Sequence, residues 1–205
     1  MLARAALVAY IGFVAISALL AALLLRAQLG HDLLPPALVL QLAPALLLPM
    51  VFVNLGSSLA FLIWLYRASR NLVDAGIVDL RRSQGWIVAS YFIPFVNLVV
   101  PFRAMRELYN RSHGEEAWHA DAEVADVSSW WSCYIGALII QVVLGMVAAI
   151  NLVPRLYVTT PPGVNTALGI LASLLLAGSA VFQWKIIGAI TNAQRSLAHI
   201  GGVFD

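Results

Sequence analysis

The segment HGEEAWHAD, residues 113–121, carries side chains that commonly bind metal ions. It holds two histidines, two glutamates and one aspartate within nine residues. His113 and His119 are six positions apart, so they do not share one face of a helix, and the segment lacks the H-E-x-x-H spacing that puts two ligands one turn apart. We interpret it as a solvated acidic loop and expect no metal and no cofactor.

Hydrolysis or proton-coupled transport would need a nucleophile with a base, a pair of carboxylates or an ionisable relay inside the membrane. The stretch LGSSLA around Ser57 and Ser58 lacks the glycine spacing of a nucleophile elbow. The apolar runs described below contain no histidine and no carboxylate, and the single cysteine, Cys133, excludes an intramolecular disulfide. The sequence therefore predicts a protein that is not an enzyme.

The composition is that of a membrane protein. Of 205 residues, 61% are hydrophobic and 11% are charged, and the mean hydropathy is +0.88, far outside the usual range of soluble domains. The net charge of +2 comes from arginines at the ends of apolar runs and not from a basic stripe, so we expect no nucleic-acid partner. We predict an all-α polytopic membrane protein that forms a single membrane domain over residues 1–205.

Four uncharged runs are long enough to cross a bilayer, whose hydrocarbon core of roughly 30 Å needs about 20 helical residues. They lie at about residues 5–25, 44–66, 130–152 and 165–184. The first is too long for the apolar core of a signal peptide, so we interpret it as an uncleaved helix. The second follows an apolar run that begins at Pro36. We expect Pro44 and Pro49 to bend or delay this helix, with residues 35–43 as an interfacial lead-in.

A fifth apolar run, residues 86–102, is interrupted by Pro94, Asn97 and Pro101. As an unbroken helix its 17 residues would reach about 26 Å, barely enough to cross. We predict a re-entrant or interfacial segment with Trp86 as a headgroup-level anchor, and keep a fifth transmembrane helix as the alternative. We expect the Asn97 side chain to cap backbone groups that the prolines leave unpaired.

The distribution of basic residues tests this choice, because basic residues in short loops favour the cytoplasm. If residues 86–102 cross the membrane, the twelve basic residues divide six against six between the two sides. If the run returns to the side it came from, the division is ten against two. The count favours the returning segment, with both termini in the cytoplasm.

The segment after Pro101 has the pattern of an interfacial amphipathic helix at residues 102–112. We predict that its polar face carries Arg103, Glu107 and Arg111 at i, i+4 spacing. We also predict that Glu107 ties this helix to Arg67 and Asn71 at the end of the second span. The remaining arginines would then meet anionic lipid headgroups.

Two stretches, FLIWLYRASRNLVDAG and GWIVASYFIPFVNLVVPFRAMRELYNRS, resemble a bacterial membrane family catalogued as domain of unknown function 4328. In that family a W-x2-R-x3-N helix end precedes a W-F-x-P-x2-N-L-x2-P segment and then an M-x-E-aromatic helix. The resemblance is specific over about residues 60–112, and it implies the architecture and no particular activity. The matching residues are Trp64, Arg67, Asn71, Trp86, Phe92, Pro94, Asn97, Leu98, Pro101, Met105 and Glu107, with Tyr109 at the last aromatic position.

From these features we expect a non-enzymatic scaffold, regulatory or assembly factor of the bacterial inner membrane. It would contact membrane lipids with anionic headgroups and a protein partner or a second copy of the chain. The alternative is a small-molecule or lipid transporter or channel in which the broken segment lines a cavity. A third hypothesis, an enzyme acting on lipid at the inner leaflet, would need a carboxylate such as Glu107 to contact the substrate.

Overall fold

The computed structural model describes residues 2–28, 36–77 and 79–201. In those residues the fold is all-helical, without a strand. Two single 3-10 turns, Val96–Leu98 and Ala117–His119, join the helices. The helices are α1 (Leu2–Gln28), α2 (Pro36–Asp74), α3 (Gln84–Ala89), α4 (Val100–Ser112), α5 (Ala125–Asn151) and α6 (Val164–Gly201).

Four of these helices are long and apolar enough to cross a membrane, which confirms the predicted architecture. The candidate spans within the described residues are Ala3–Leu23, Val51–Asp74, Ala125–Asn151 and Val164–Ser196. Large apolar side chains on the long helices are exposed, as expected where lipid is the solvent; Phe52 and Leu55 of α2 and Met146 of α5 are examples.

Two helices extend further than the apolar runs suggested. α2 begins at Pro36 and continues through Pro44 and Pro49, where we had expected a bend or a late start. The side chains of residues 36–47, which include most of the predicted lead-in, lie outside the described residues, as does residue 35. α6 continues well past residue 184 to Gly201, and this extension carries contacts described below.

The helices run up and down, so that several of their ends meet at one end of the bundle. The Arg4 guanidinium, near the start of α1, lies 3.9 Å from the centre of the Trp184 ring in α6. Asn71 near the end of α2 and Ser112 at the end of α4 both hydrogen-bond to Gln194 of α6. We call this end, with Arg4, Asn71, Ser112 and Gln194, the charged end.

Because Asn71 and Ser112 both contact Gln194, the chain from the end of α2 through α4 leaves the charged end and returns to it. Between α2 and α4 the longest helix, α3, has only six residues, or about 9 Å. The five-helix alternative is wrong for this reason: residues 86–102 do not form a fifth spanning helix. A buried core lies nearby and includes Leu65, Leu72, Met105, Val127 and Ile190.

Candidate functional site

The broken segment, residues 86–102, begins within the short helix α3. The Ser83 hydroxyl accepts a hydrogen bond from the Trp86 N–H at 3.3 Å and caps this helix. Turns follow, with Phe95 at a φ of 64°, and Pro101 lies in the first turn of α4. Proline is tolerated there because the first N–H groups of a helix have no partner within it. The predicted break is therefore a sequence of tight turns between two short helices.

Asn97 does not cap this break as predicted. Its side-chain Oδ1 is buried and has no hydrogen-bond partner among the described residues. Backbone groups of the turn are paired with one another instead. The Asn97 N–H donates to the Ile93 carbonyl at 2.9 Å, and the Val96 N–H donates to the Pro94 carbonyl at 2.8 Å. The prediction was wrong because these local backbone bonds leave few groups for a side chain to cap.

The broken segment lies well inside the bundle. The Tyr91 ring meets Phe61 of α2 edge-on, with ring centroids 5.9 Å apart. Phe61 precedes Asn71 by ten positions, or about 15 Å along the helix, so the segment reaches that far from the charged end. Its other face is apolar and exposed: Phe92 is 72% and Phe95 84% exposed.

A cavity of about 280 Å³ lies between α1, α2, α5, α6 and the broken segment. Tyr91 and Phe92 supply the part of its wall that comes from the broken segment. Its volume is about twice the roughly 150 Å³ of an engineered apolar cavity that holds benzene. The other aromatic walls are Tyr10, Phe61, Trp130, Trp131 and Tyr134, and the polar ones are Asn54, Ser57, Ser58, Ser179 and Gln183.

The lining residues offer hydroxyls, amides and aromatic rings but no carboxylate, histidine, lysine or arginine. The Tyr91 hydroxyl is buried and has no hydrogen-bond partner in the described part of the chain. Burial raises the pKa of this phenol, so it keeps its proton and stays a donor. Ser57, by contrast, donates to the Ala6 carbonyl at 3.0 Å and joins α2 to α1.

Glu107 forms a buried ion pair at the charged end. Its Oε2 lies 3.1 Å from Nη1 of Arg82, and the two side chains are only 5% and 16% exposed. Its Oε1 accepts the Arg81 backbone N–H at 2.7 Å. The carboxylate therefore fixes the loop before α3 to α4.

The predicted partners of Glu107 were wrong. We expected Arg67, Asn71 and a ladder with Arg103 and Arg111, but Glu107 lies on the buried face of α4 and contacts Arg82. Helical spacing located Glu107 on α4, but it could not show that the loop before α3 folds back over this face. Arg67 and Arg103 are exposed.

Asn110, one turn after Glu107, fixes the acidic loop. Its Nδ2 donates to the carbonyls of Ala120 at 3.0 Å and Ala122 at 2.9 Å. Arg106 donates to the carbonyls of Asp121 and Ala122, and Arg81 pairs with the Asp121 carboxylate. The loop is therefore held by α4 through several hydrogen bonds.

Gln194 joins three helices. Its Nε2 donates to the Ala68 carbonyl at 2.9 Å and to the Ser112 hydroxyl at 3.0 Å, and its Oε1 accepts from Asn71 Nδ2 at 3.1 Å. Asn71 thus contacts Gln194 of α6 and not Glu107 of α4, the partner predicted for it.

A family model described as domain of unknown function (DUF4328) matches residues 38–192. The chain belongs to the DUF4328 family. No curated protein and no solved structure matches the chain. The matched residues of this DUF4328 protein include the broken segment, the Arg82–Glu107 pair and most of the cavity wall, whereas α1 and Gln194 lie outside them.

The acidic loop of this DUF4328 chain holds one histidine–carboxylate contact, with His119 Nδ1 3.3 Å from a Glu115 oxygen. Within residues 2–28, 36–77 and 79–201, no three His, Cys, Asp or Glu side chains are grouped so as to hold a metal ion. His113 stacks instead on Tyr109, with ring centroids 4.2 Å apart.

Sequence reasoning missed Arg82, Asn110 and Gln194 as organising residues of the DUF4328 fold. A signal for Gln194 was present: it follows Ile186 and Ile190 at i+4 steps, so it continues a buried face. Arg82 lies in a loop, where no periodicity predicts burial.

Proposed function

We propose that this membrane protein binds a small, uncharged amphiphile in the cavity beside the broken segment. The observation that carries the proposal is the combination of a largely aromatic wall with the unpaired Tyr91 hydroxyl. A buried donor without a partner costs free energy, and a ligand with a carbonyl, ether or hydroxyl oxygen would supply the missing acceptor.

The lining also selects the class of ligand. A charged ligand would lose its hydration without meeting an opposite charge, because the wall carries none. An apolar chain or ring fits the aromatic residues, and one polar group fits Asn54, Ser58 or Tyr91. Hydroxyls, amides and rings bind and orient a ligand, so we propose binding or transfer of the molecule and not catalysis.

We further propose that the protein spans the bacterial inner membrane with its charged end, both termini included, in the cytoplasm. The positive-inside count supports this orientation, and so does the position of Arg4, Arg67 and Arg195 around one groove. The broken segment would then enter the inner leaflet, where its exposed Phe92 and Phe95 would contact lipid.

Cysteine accessibility tests this orientation. In a Cys133→Ala background, single cysteines replace three exposed residues: Arg70 and Glu123 on either side of the broken segment, and Thr159 at the α5–α6 turn. We expect an impermeant maleimide to label only position 159 in spheroplasts, and positions 70 and 123 only after lysis. Labelling of position 123 but not 70 from outside would contradict the returning segment.

Native mass spectrometry of the protein released from its own membranes tests the ligand. We expect a bound uncharged molecule, and we expect Ser58→Phe, which places a ring at the cavity wall, to lower its occupancy about tenfold or more. Ser132→Phe is the matched control, because Ser132 is exposed on α5 and does not line the cavity.

Equal occupancy in the two variants would contradict the proposal. The scaffold, regulatory or assembly role expected from the sequence stays a prediction, and the same experiment separates it from ligand binding. A scaffold that uses only its surface would carry no occupant that Ser58→Phe displaces.

A further inference from the structure

A second concave site, separate from the cavity, opens at the charged end between the start of α1 and the ends of α2 and α6. It has a volume of about 730 Å³ and carries three arginines, Arg4, Arg67 and Arg195. We call it the basic groove. Its other polar residues are Asn71, Asp74, Thr191, Asn192 and Gln194.

The Arg4 guanidinium is held in position by α6. It stacks on the Trp184 ring at 3.9 Å, and Gly188 provides the space for it: a Cβ at that position would lie 3.2 Å from Arg4 Nη2. Arg4 Nε is buried and has no hydrogen-bond partner among the described residues. A guanidinium held in position in this way is a ready partner for an oxyanion.

The charges of the groove do not balance within the described residues. Its one carboxylate, Asp74, lies 3.7 Å from Arg70, and Arg70 is not part of the groove lining. Three arginines therefore face one aspartate that already has a cationic neighbour. An anion in the groove would relieve this imbalance.

The groove lies where headgroups are expected. Trp64, whose indole N–H donates to Thr191 at 3.3 Å, lies in its wall, and Trp184 lies beside Arg4. Tryptophan at the end of an apolar span is typical of the membrane–water interface. Arginine at this depth binds phosphate oxygens in bidentate geometry.

We propose that the basic groove binds a phosphate group, with Arg4 and Arg67 as its principal ligands and Arg195 at its edge. The phosphate belongs either to the headgroup of an anionic lipid or to a soluble phosphate compound. This inference uses residues that do not line the cavity, so it does not depend on the proposed amphiphile.

Lipid retention tests the proposal on the full chain in nanodiscs. The discs contain phosphatidylcholine with a minor fraction of phosphatidylglycerol, and native mass spectrometry counts phosphatidylglycerol molecules that stay bound. We expect Arg4→Gln and Arg67→Gln each to lower retention about tenfold, as the loss of one charge-assisted contact predicts. Arg103→Gln removes the same charge from an exposed position of α4 and should leave retention unchanged.

Two further arms complete the experiment. In discs of phosphatidylcholine alone, added inorganic phosphate that raises the melting temperature of wild type but not of Arg4→Gln would identify a soluble phosphate as the occupant. Gly188→Ala should weaken retention while preserving every charge, because a Cβ 3.2 Å from Arg4 Nη2 would force the guanidinium to shift by a few tenths of an ångström. The proposal would be overturned if Arg103→Gln lowered phosphatidylglycerol retention as much as Arg4→Gln and Arg67→Gln do. It would also be overturned if Arg4→Gln and Arg67→Gln retained as much phosphatidylglycerol as wild type and responded to inorganic phosphate as wild type does.

Discussion

Glu107→Ala is expected to lower the free energy of unfolding by about 3–5 kcal/mol, the usual cost of removing one partner from a buried ion pair. The substitution leaves Arg82, which is 16% exposed, without its carboxylate and the Arg81 N–H without its acceptor. Titration of the purified protein with a denaturing detergent, followed by tryptophan fluorescence, measures the change.

The chain contains a matched control for this loss of a carboxylate. Asp74 pairs with Arg70 at 3.7 Å, but both side chains are more than 60% exposed. Asp74→Ala should therefore cost less than about 1 kcal/mol. Replacing Glu107 and Arg82 together by methionine should recover part of the loss, because no unpaired charge is then buried. Similar losses for Glu107→Ala and Asp74→Ala would show that the Glu107 pair does not fix the loop.

Gln194→Ala is expected to cost about 1–3 kcal/mol, since it removes three hydrogen bonds and leaves the buried Ser112 hydroxyl without the N–H that donates to it. Besides lowering the free energy of unfolding, the substitution should loosen the structure around the partners of Gln194. Amide hydrogen exchange should increase in the last turn of α4 and at the end of α2, where the partners of Gln194 lie.

Gln141→Ala is the control, because Gln141 is an exposed glutamine on α5. We expect a change within about 0.5 kcal/mol, as for most exposed substitutions. If hydrogen exchange at α4 is the same in both variants, Gln194 does not join the three helices in the membrane protein.

The spans could be predicted from the sequence because hydrophobic length is a local property. The run from residue 5 to 25 needs no tertiary contact to be recognised, and the helix α1 confirms it. The break at residues 86–102 was also recognisable, because Pro94 and Pro101 interrupt a run that is short for a spanning helix. Proline alone is a weaker signal, since α2 continues through Pro44 and Pro49.

The partners of the polar residues could not be predicted in the same way. Glu107 and Arg82 are 25 positions apart and are joined by a segment of turns, so neither helical spacing nor charge pattern relates them. The same holds for the cavity, whose wall combines α1, α2, α5, α6 and Tyr91. Such sites depend on how the turns fold back, and that is a property of the whole chain.

The contacts of Gln194 also bear on the order in which the protein is assembled. A ribosome makes α6 after α1 to α5. Ala68, Asn71 and Ser112 therefore lack their hydrogen bonds to Gln194 until α6 has been made. Until α6 is inserted, the loop before α3 and the acidic loop are held by α4 and by the Arg81–Asp121 pair, and α1 lacks the ring and the glycine that position Arg4. A nascent chain that stops before residue 184 would therefore expose unpaired polar groups at the membrane surface, where quality-control proteases can distinguish it from a chain that includes α6.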